Sequence, residues 1–357
     1  MAMNYRVKVD RKIAQVDGAA WDALCEQRPF ATVYWLRLLE EIIADYEPRY
    51  VQLWQEGQLV AGAVCLPQRH FHLSVYLKNK LLQKMAGQVL TWLPPNAALL
   101  PLFLRDGLLL HSGVETAVWL PRLLTEIENA ARWAPFTYLG NLSPAQGVVA
   151  TQQAFSVVPI LQDTYLDIVW DNFDDYLSHL NSKRRYRVKS YLSQAEEAGV
   201  TVQEVMLDSP MAPQIEALIR GVADKHDNTF IYRPDFLQRT QAYLRPDSLH
   251  TLVACERGEP IACITLFCSG GEMVAKWSGL NYGRTHETYG YHAMMIHIVQ
   301  KAIALGIRRL DFGPTAYTLK RQLGARFEDR VAGLKLGIRP LNSLFQRFAA
   351  GKNEEDS

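Results

Sequence analysis

The run TAYTLKRQLGARF sets Tyr317 and Lys320 three residues apart. On a helix that spacing puts both on one flank, away from Ala316, Leu319 and Leu323, where a phenol and an ammonium can line the same cleft. An ammonium there can stabilise negative charge; the plainer alternative is that Lys320 and Arg321 are the solvated face of an amphipathic helix. Upstream, Asp311 ends a short strand, where it either orients such a site or caps the turn into Gly313 and Pro314. A second group is basic: Lys183, Arg184, Arg185, Arg187 and Lys189 crowd the start of another predicted helix. Guanidinium groups fork onto phosphates, and cations at a helix N-terminus oppose its dipole, so helix stability does not account for them. An ordinary charged helix face is the alternative. Third, the segment from Tyr282 to His292, with Gly290 and Tyr291, runs into a helix whose first N–H groups can cradle an anion, or is a plain strand-to-helix loop. Among nine histidines, His226, His286 and His292 are candidates for a general base, and no His, Cys or Asp spacing suggests a metal. Trp277 reads as core rather than as a substrate platform.

These residues need a scaffold, and the second half supplies the clearer one. LHTLVACERGEPIACITLFC predicts two strands around a turn at 256–259, followed by a third, EMVAKWSGLN. AMMIHIVQKAIALG then places Met294, Ile298, Ala302 and Leu305 at helical spacing, with Gly306 as a stop. The strand RRLDFG and the Lys320 helix complete a β-β-β-α-β-α order. The first half repeats it weakly: RYVQLWQEGQLVAGAVCLPQ predicts a hairpin about Glu56 and Gly57, and ETAVWLPRLLTEIENAARWA a helix with Pro121 near its start or kinking it, leading into FTYLGN. Two copies of one fold follow. Between them a helix is predicted over 184–198, capped by Asn181 or Ser182 and stopped at Gly199.

With 357 residues the chain exceeds one ordinary core and suits two domains. Its 38 Lys and Arg balance 37 Asp and Glu, which gives no pull toward DNA or a membrane surface. Five cysteines without a C-x-x-C pair read as reduced core residues, hence a cytoplasmic protein. The N-terminus lacks a signal-like apolar stretch, and the apolar run from Leu99 to Leu110 is broken by Pro101, Arg105 and Asp106, so no transmembrane segment is expected.

Three segments resemble the Fem-type (FemAB-like) tandem GNAT transferases and the acetyltransferase-like domains of bacterial envelope and polysaccharide proteins. AFSVVPILQDTYLDIVWDNFDDYLSHLNSKRRYRVKSYLSQAEEAGV resembles that family's join between domains, GIRRLDFGPTAYTLKRQLGARF its Asp-Phe-Gly strand followed by a lysine, and WDALCEQRPFATVYWLRLLEE its opening. The resemblance implies an α/β fold of two tandem GNAT-like (acyl-CoA N-acyltransferase) domains with mixed sheets, over 1–165 and 166–350, with a disordered tail at 351–357. It implies an N-acyltransferase moving an acyl group from an acyl thioester, acyl-CoA as co-substrate, to an amine on a small molecule or envelope precursor. The alternatives are aminoacyl-tRNA-dependent transfer to an envelope precursor and a non-catalytic module binding a glycan or partner. Lys320 then falls where GNAT enzymes carry the leaving-group tyrosine, four residues before the glycine, and acts as a charge-stabilising cation, with Tyr317 and Asp311 beside it. Lys183, Arg184, Arg185, Gly290 and Tyr291 would hold phosphates. The loop departs from the family's Gln/Arg-x-x-Gly-x-Gly/Ala pattern, matching only at Gly290, which leaves the donor open among acyl-CoA, acyl carrier protein and aminoacyl-tRNA.

Overall fold

A computed structural model describes residues 4–69, 92–103, 105–225, 232–337 and 342. His226, the tail from 351 and most of the region of weak patterning from 71 lie outside them. In chain order the strands are β1 (Arg6–Asp10), β2 (Arg49–Gln55), β3 (Gln58–Pro67), β4 (Asn96–Leu100), β5 (Arg105–Asp106), β6 (Leu108–Leu110), β7 (Phe136–Leu142), β8 (Ser156–Asp167), β9 (Val200–Glu204), β10 (Leu249–Glu256), β11 (Glu259–Ser269), β12 (Glu272–Leu280), β13 (Arg309–Asp311) and β14 (Arg326–Leu336). The helices are α1 (Gly18–Leu24), α2 (Val33–Ile42), α3 (Thr116–Asn129), α4 (Pro144–Gln152), α5 (Phe173–His179), α6 (Ser182–Glu197), α7 (Ala212–Lys225), α8 (Phe236–Tyr243), α9 (Tyr282–Glu287), α10 (Gly290–Ala304) and α11 (Tyr317–Gln322).

The chain divides into two compact units, one comprising Met1–Ile160, Thr229–Arg233 and Asp329–Ser357, the other Leu161–Asn228 and Pro234–Glu328. Each is built to the same plan. In the first, β1, β2, β3 and β4 are antiparallel neighbours, β4 runs parallel to β7, and β7 takes β14 antiparallel. In the second, β9, β10, β11 and β12 are antiparallel neighbours, β12 runs parallel to β13, and β13 takes the end of β8 antiparallel. The first sheet is closed by β14, the last of the described strands, which lies far along the chain from that unit's main run, whereas the part of β8 that closes the second, Tyr165–Asp167, belongs to that unit's own run.

Local chemistry sets these elements. The β10–β11 turn puts Arg257 and Gly258 at φ 52° and 88°, and β2–β3 puts Glu56 and Gly57 at 50° and 84°, the paired positive values that match the twist of a two-residue hairpin. Asn181 caps α6 by accepting from the Arg184 N–H, and Gly199 ends it at φ 76°. Pro121 lies inside α3 rather than at its start.

In the second unit one sheet face packs Leu166, Met273, Ala275 and Leu310 with α10's Met294, Met295, Ile298 and Val299 into a buried core. All five cysteines are free and buried. Native protein should therefore leave all five unreactive toward Ellman's reagent and release them only in denaturant; rapid reaction of any thiol in the folded state would contradict this packing.

A buried lysine and aspartate cluster at a strand fork

Strand β12 pairs with β13 only through Glu272↔Arg309, Met273↔Leu310 and Val274↔Asp311, then continues to Leu280 along β11 alone. The two parallel strands part at that point. Side chains of paired residues share a sheet face and alternate along each strand, so Val274, Asp311 and Tyr165, aligned across β12, β13 and β8, lie on one face. Two residues further along, Lys276 on β12 and Asp163 on β8 lie on that same face. Trp277 follows at φ 50°, where the β11–β12 register shifts, so alternation ends just past Lys276.

Lys320 reaches this place from α11. It is 2% exposed, and its Nζ donates to the carbonyls of Phe312 at 3.0 Å, Gly313 at 2.8 Å and Pro314 at 2.9 Å. The loop that supplies them is bent by Gly313, Thr315 and Ala316 at φ 67°, 72° and 48°, a costly run for two residues with Cβ atoms. Further bonds brace it: Thr164 donates to Gly313 O, and the Gly313 N–H donates to Asp311 Oδ1 at 2.8 Å. Burial pushes the Lys320 ammonium down to about 8, against the pull of Asp311 and Asp163 and with Lys276 adding to the push. Lys276, half-buried, is pushed to about 8 by the same cause, again opposed by Asp311 and Asp163. Both aspartates are buried at 5% exposure. Tyr317, one turn before Lys320, donates from its hydroxyl to Gln162 O at 3.0 Å.

The acetyltransferase (GNAT) domain family matches residues 182–321. Among solved structures, the chain is similar to the tandem GNAT protein from the clavulanic acid biosynthesis pathway (TM-score 0.57, 11% identity, 93% of this chain and 99% of that one). It is similar also to FemX (0.56, 12%, 95% and 100%) and to the C-terminal domain of a putative lysylphosphatidylglycerol synthetase from Agrobacterium fabrum (0.55, 12%, 94% and 96%). No curated protein sequence matches. Residues 182–321 carry a GNAT-domain match, and the chain as a whole has a tandem GNAT-like fold.

The two GNAT-like units differ at the fork. In the first, β4 and β7 part after Ala98↔Leu139, with Gly333 of β14 opposite Leu139. Leu139 packs with Trp119, Leu120 and Leu123 of α3, so it stands on the helix-covered face as Leu310 does in the second unit, and the next residue, Gly140, holds the place of Asp311. A Cβ on Gly147 of α4 would meet Val331 Cγ2 at 2.7 Å, so α4 packs tightly against β14.

The other expected site residues of this GNAT-fold chain lie elsewhere in the second unit. Arg185 spends one guanidinium nitrogen on the carbonyls of Leu177 and Ser178, both at 3.2 Å, tying α6 to the end of α5, while Lys183 is exposed and Arg184 half-buried. Tyr186 between them is 73% exposed. Tyr289 at φ 56° opens α10 with no side-chain cap. A Cβ on Gly290 would meet Ile261 Cδ1 at 2.7 Å, so close packing of α10 on β11 already accounts for this glycine. Tyr291 is half-buried, its phenol pushed up to about 12 by burial. His292 stacks against Tyr191 at 4.4 Å with a buried, unpartnered Nδ1 and a pKa lowered by burial and by His286, which is itself exposed. Trp277 packs edge-on to Phe236 and Phe267 as a core residue. Among the described residues, no group of three or more His, Cys, Asp or Glu is placed to hold a metal, and no helix is long and apolar enough to cross a membrane.

Two members of the cluster escaped the sequence reading. Lys276 had a signal, being the lone charge inside the apolar strand run MVAKW; Asp163 had none beyond lying near the expected domain boundary.

Two outcomes follow from the cluster. Replacing Lys320 by Met leaves three carbonyls without their donor and removes a positive charge that acts on two buried carboxylates, so chemical denaturation should show a loss of about 3 to 5 kcal/mol; a near-neutral effect would mean the loop holds itself. The pH dependence has opposing parts. Burial pushes Cys25, Cys65, Cys263 and Cys268 to about 12 and raises Cys255. Each thiol keeps its proton when folded and loses it when unfolded, which costs stability as pH rises past about 8.5. The two lysines release protons first in the folded state and so add stability above about 8. Five thiols outweigh two lysines, so the urea midpoint should fall between pH about 9 and 10, and a rise there would contradict the buried thiols.

Proposed function

We propose that the second unit is an N-acyltransferase that moves an acyl group from an acyl thioester, acyl-CoA foremost, to an amine, and that its chemistry lies at the β12–β13 fork. The observation that carries this reading is the set Lys276, Asp311 and Asp163 on one sheet face with the Lys320 ammonium acting on them from α11, three of the four buried, where the first unit has Gly140 at the place of Asp311. Burying charged groups is expensive, and an apolar set of similar size would serve stability as well or better. On this reading the catalytic domain is the second unit, and the first is its non-catalytic copy.

Acyl transfer to an amine needs a proton acceptor for the incoming ammonium and stabilisation of the oxyanion that forms on the acyl carbon. Lys320 holds the 312–314 loop and sets a positive charge behind it. Asp311 braces the same loop through Gly313, and Tyr317 ties α11 to β8. On this reading Lys183, Arg184 and Arg185 at the start of α6, with Gly290 and Tyr291 at the start of α10, meet phosphates of the donor. A second reading, transfer from aminoacyl-tRNA to an envelope precursor, is favoured by the fold likeness to FemX and to lysylphosphatidylglycerol synthetase and by the exposed Tyr186 among the α6 cations, which offers a ring for base stacking. Free buried thiols suit a reducing, cytoplasmic compartment.

Thermal melts with acetyl-CoA, longer acyl-CoAs and a charged-tRNA preparation separate these readings, because a ligand binding only the folded state at a hundred times its Kd adds about 2.7 kcal/mol. An acyl-CoA shift supports the thioester reading. A shift with tRNA alone, lost steeply with added salt, supports the second, and no shift with any of them points to a non-catalytic binding module. Asp311→Asn should lower transfer at least tenfold at an unchanged melting temperature; full activity in that variant would move the chemistry away from the fork.

A further inference from the structure

We propose that Lys276 is the base that takes the proton from the acceptor's ammonium before its nitrogen attacks the acyl carbon, an assignment that rests on the acyl-transfer reading above. Four features of the fork converge on this residue. It lies two residues past the last β12–β13 rung, where no β13 residue pairs with β12 any longer. By register it shares a face with Asp311 and Asp163, the carboxylates that attract an incoming ammonium. Lys320, the other amine of the cluster, has all three donors engaged by carbonyls of the 312–314 loop, so it is committed to holding that loop. Lys276 is held by no hydrogen bond among the described residues, and the αL turn at Trp277 directs the strand away immediately after it.

The charged groups that act on Lys276 come from every neighbouring element: Asp311 from β13, Asp163 from β8 and Lys320 from α11, while its partner across β11 is the neutral Thr265. Burial lowers its affinity for a proton and the two carboxylates restore part of it, so near neutral pH both forms are populated, as a base that must accept and return a proton requires.

The step balances as follows. The acceptor's ammonium gives one proton to the neutral Lys276 amine, and the freed lone pair forms the C–N bond. On collapse the C–S bond breaks with its electron pair going to sulfur, which takes a proton from solvent, while the Lys276 ammonium returns its own proton to solvent. The second proton lost from nitrogen passes to water. Products are the amide and the free thiol, with Lys276 neutral again.

The test exploits two small acceptors that differ in whether they carry that proton. Butylamine is an ammonium at neutral pH, whereas hydroxylamine is already a free base. With acetyl-CoA as donor and the uncatalysed rate subtracted, Lys276→Met and Lys276→Arg should each lower transfer to butylamine about a hundredfold or more and leave transfer to hydroxylamine within about threefold. Arginine keeps the charge and the length but cannot act as a base, so it decides the matter if the Met variant fails to fold. Equal loss with both acceptors would make Lys276 a structural residue, and unchanged butylamine transfer would remove it from the reaction; either result overturns the assignment. A wild-type protein inactive with both acceptors would instead bring down the acyl-transfer reading itself, and the base with it.

Discussion

Two parallel strands that share only three rungs are the constraint on which the second unit depends. Because β12 and β13 pair only from Glu272 to Val274, the Asp311, Asp163 and Lys276 side chains gather where that pairing stops. Groups buried there are largely removed from water, where charge–charge and hydrogen-bond energies are several times those at the surface. The Lys320 ammonium, bound by three consecutive carbonyls, keeps the 312–316 loop in a shape that its φ values alone would not favour. Those charge-assisted hydrogen bonds offset both the strain in the loop and the burial of the ammonium.

The first unit repeats the fork, with β4 and β7 pairing only as far as Ala98↔Leu139. Gly140 stands there at the place of Asp311, and a Cβ on it would meet Tyr138 at 3.1 Å and Leu99 at 3.3 Å, so that face is packed as ordinary core. One backbone plan therefore supports both a charged cluster and an apolar joint: an apolar face gains by collapse, whereas charged groups must stay solvated or paired.

Much of the scaffold was legible in the sequence. Hairpins at Glu56–Gly57 and Arg257–Gly258, the Asn181 cap and the α10 periodicity all express local chemistry, and the tandem α/β plan followed from their repetition. The site was legible only in part. Asp311 and Lys320 stand close together in the chain and form one turn of structure, so spacing brought them forward. Asp163 and Lys276 join them through register across β8, β13 and β12, strands more than a hundred residues apart at the extremes. A one-residue slip would send either side chain to the opposite face, and nothing in a single sequence reveals such a pairing. For the same reason, helical patterning alone left a solvated Lys320 as an open alternative, although the folded protein buries it.

The distant origin of β14 bears on how the chain is made. The first unit's sheet ends at β7 until β14 arrives, and β14 is the last of the described strands to be synthesised. During translation the β7 edge must wait, with its hydrogen-bonding groups unsatisfied, while nearly two hundred further residues emerge. An exposed edge of this kind invites pairing with other chains. The order of synthesis thus makes the first half, though it is first to leave the ribosome, the later of the two to be completed, and gives the nascent chain a long interval of dependence on whatever shields its open edge.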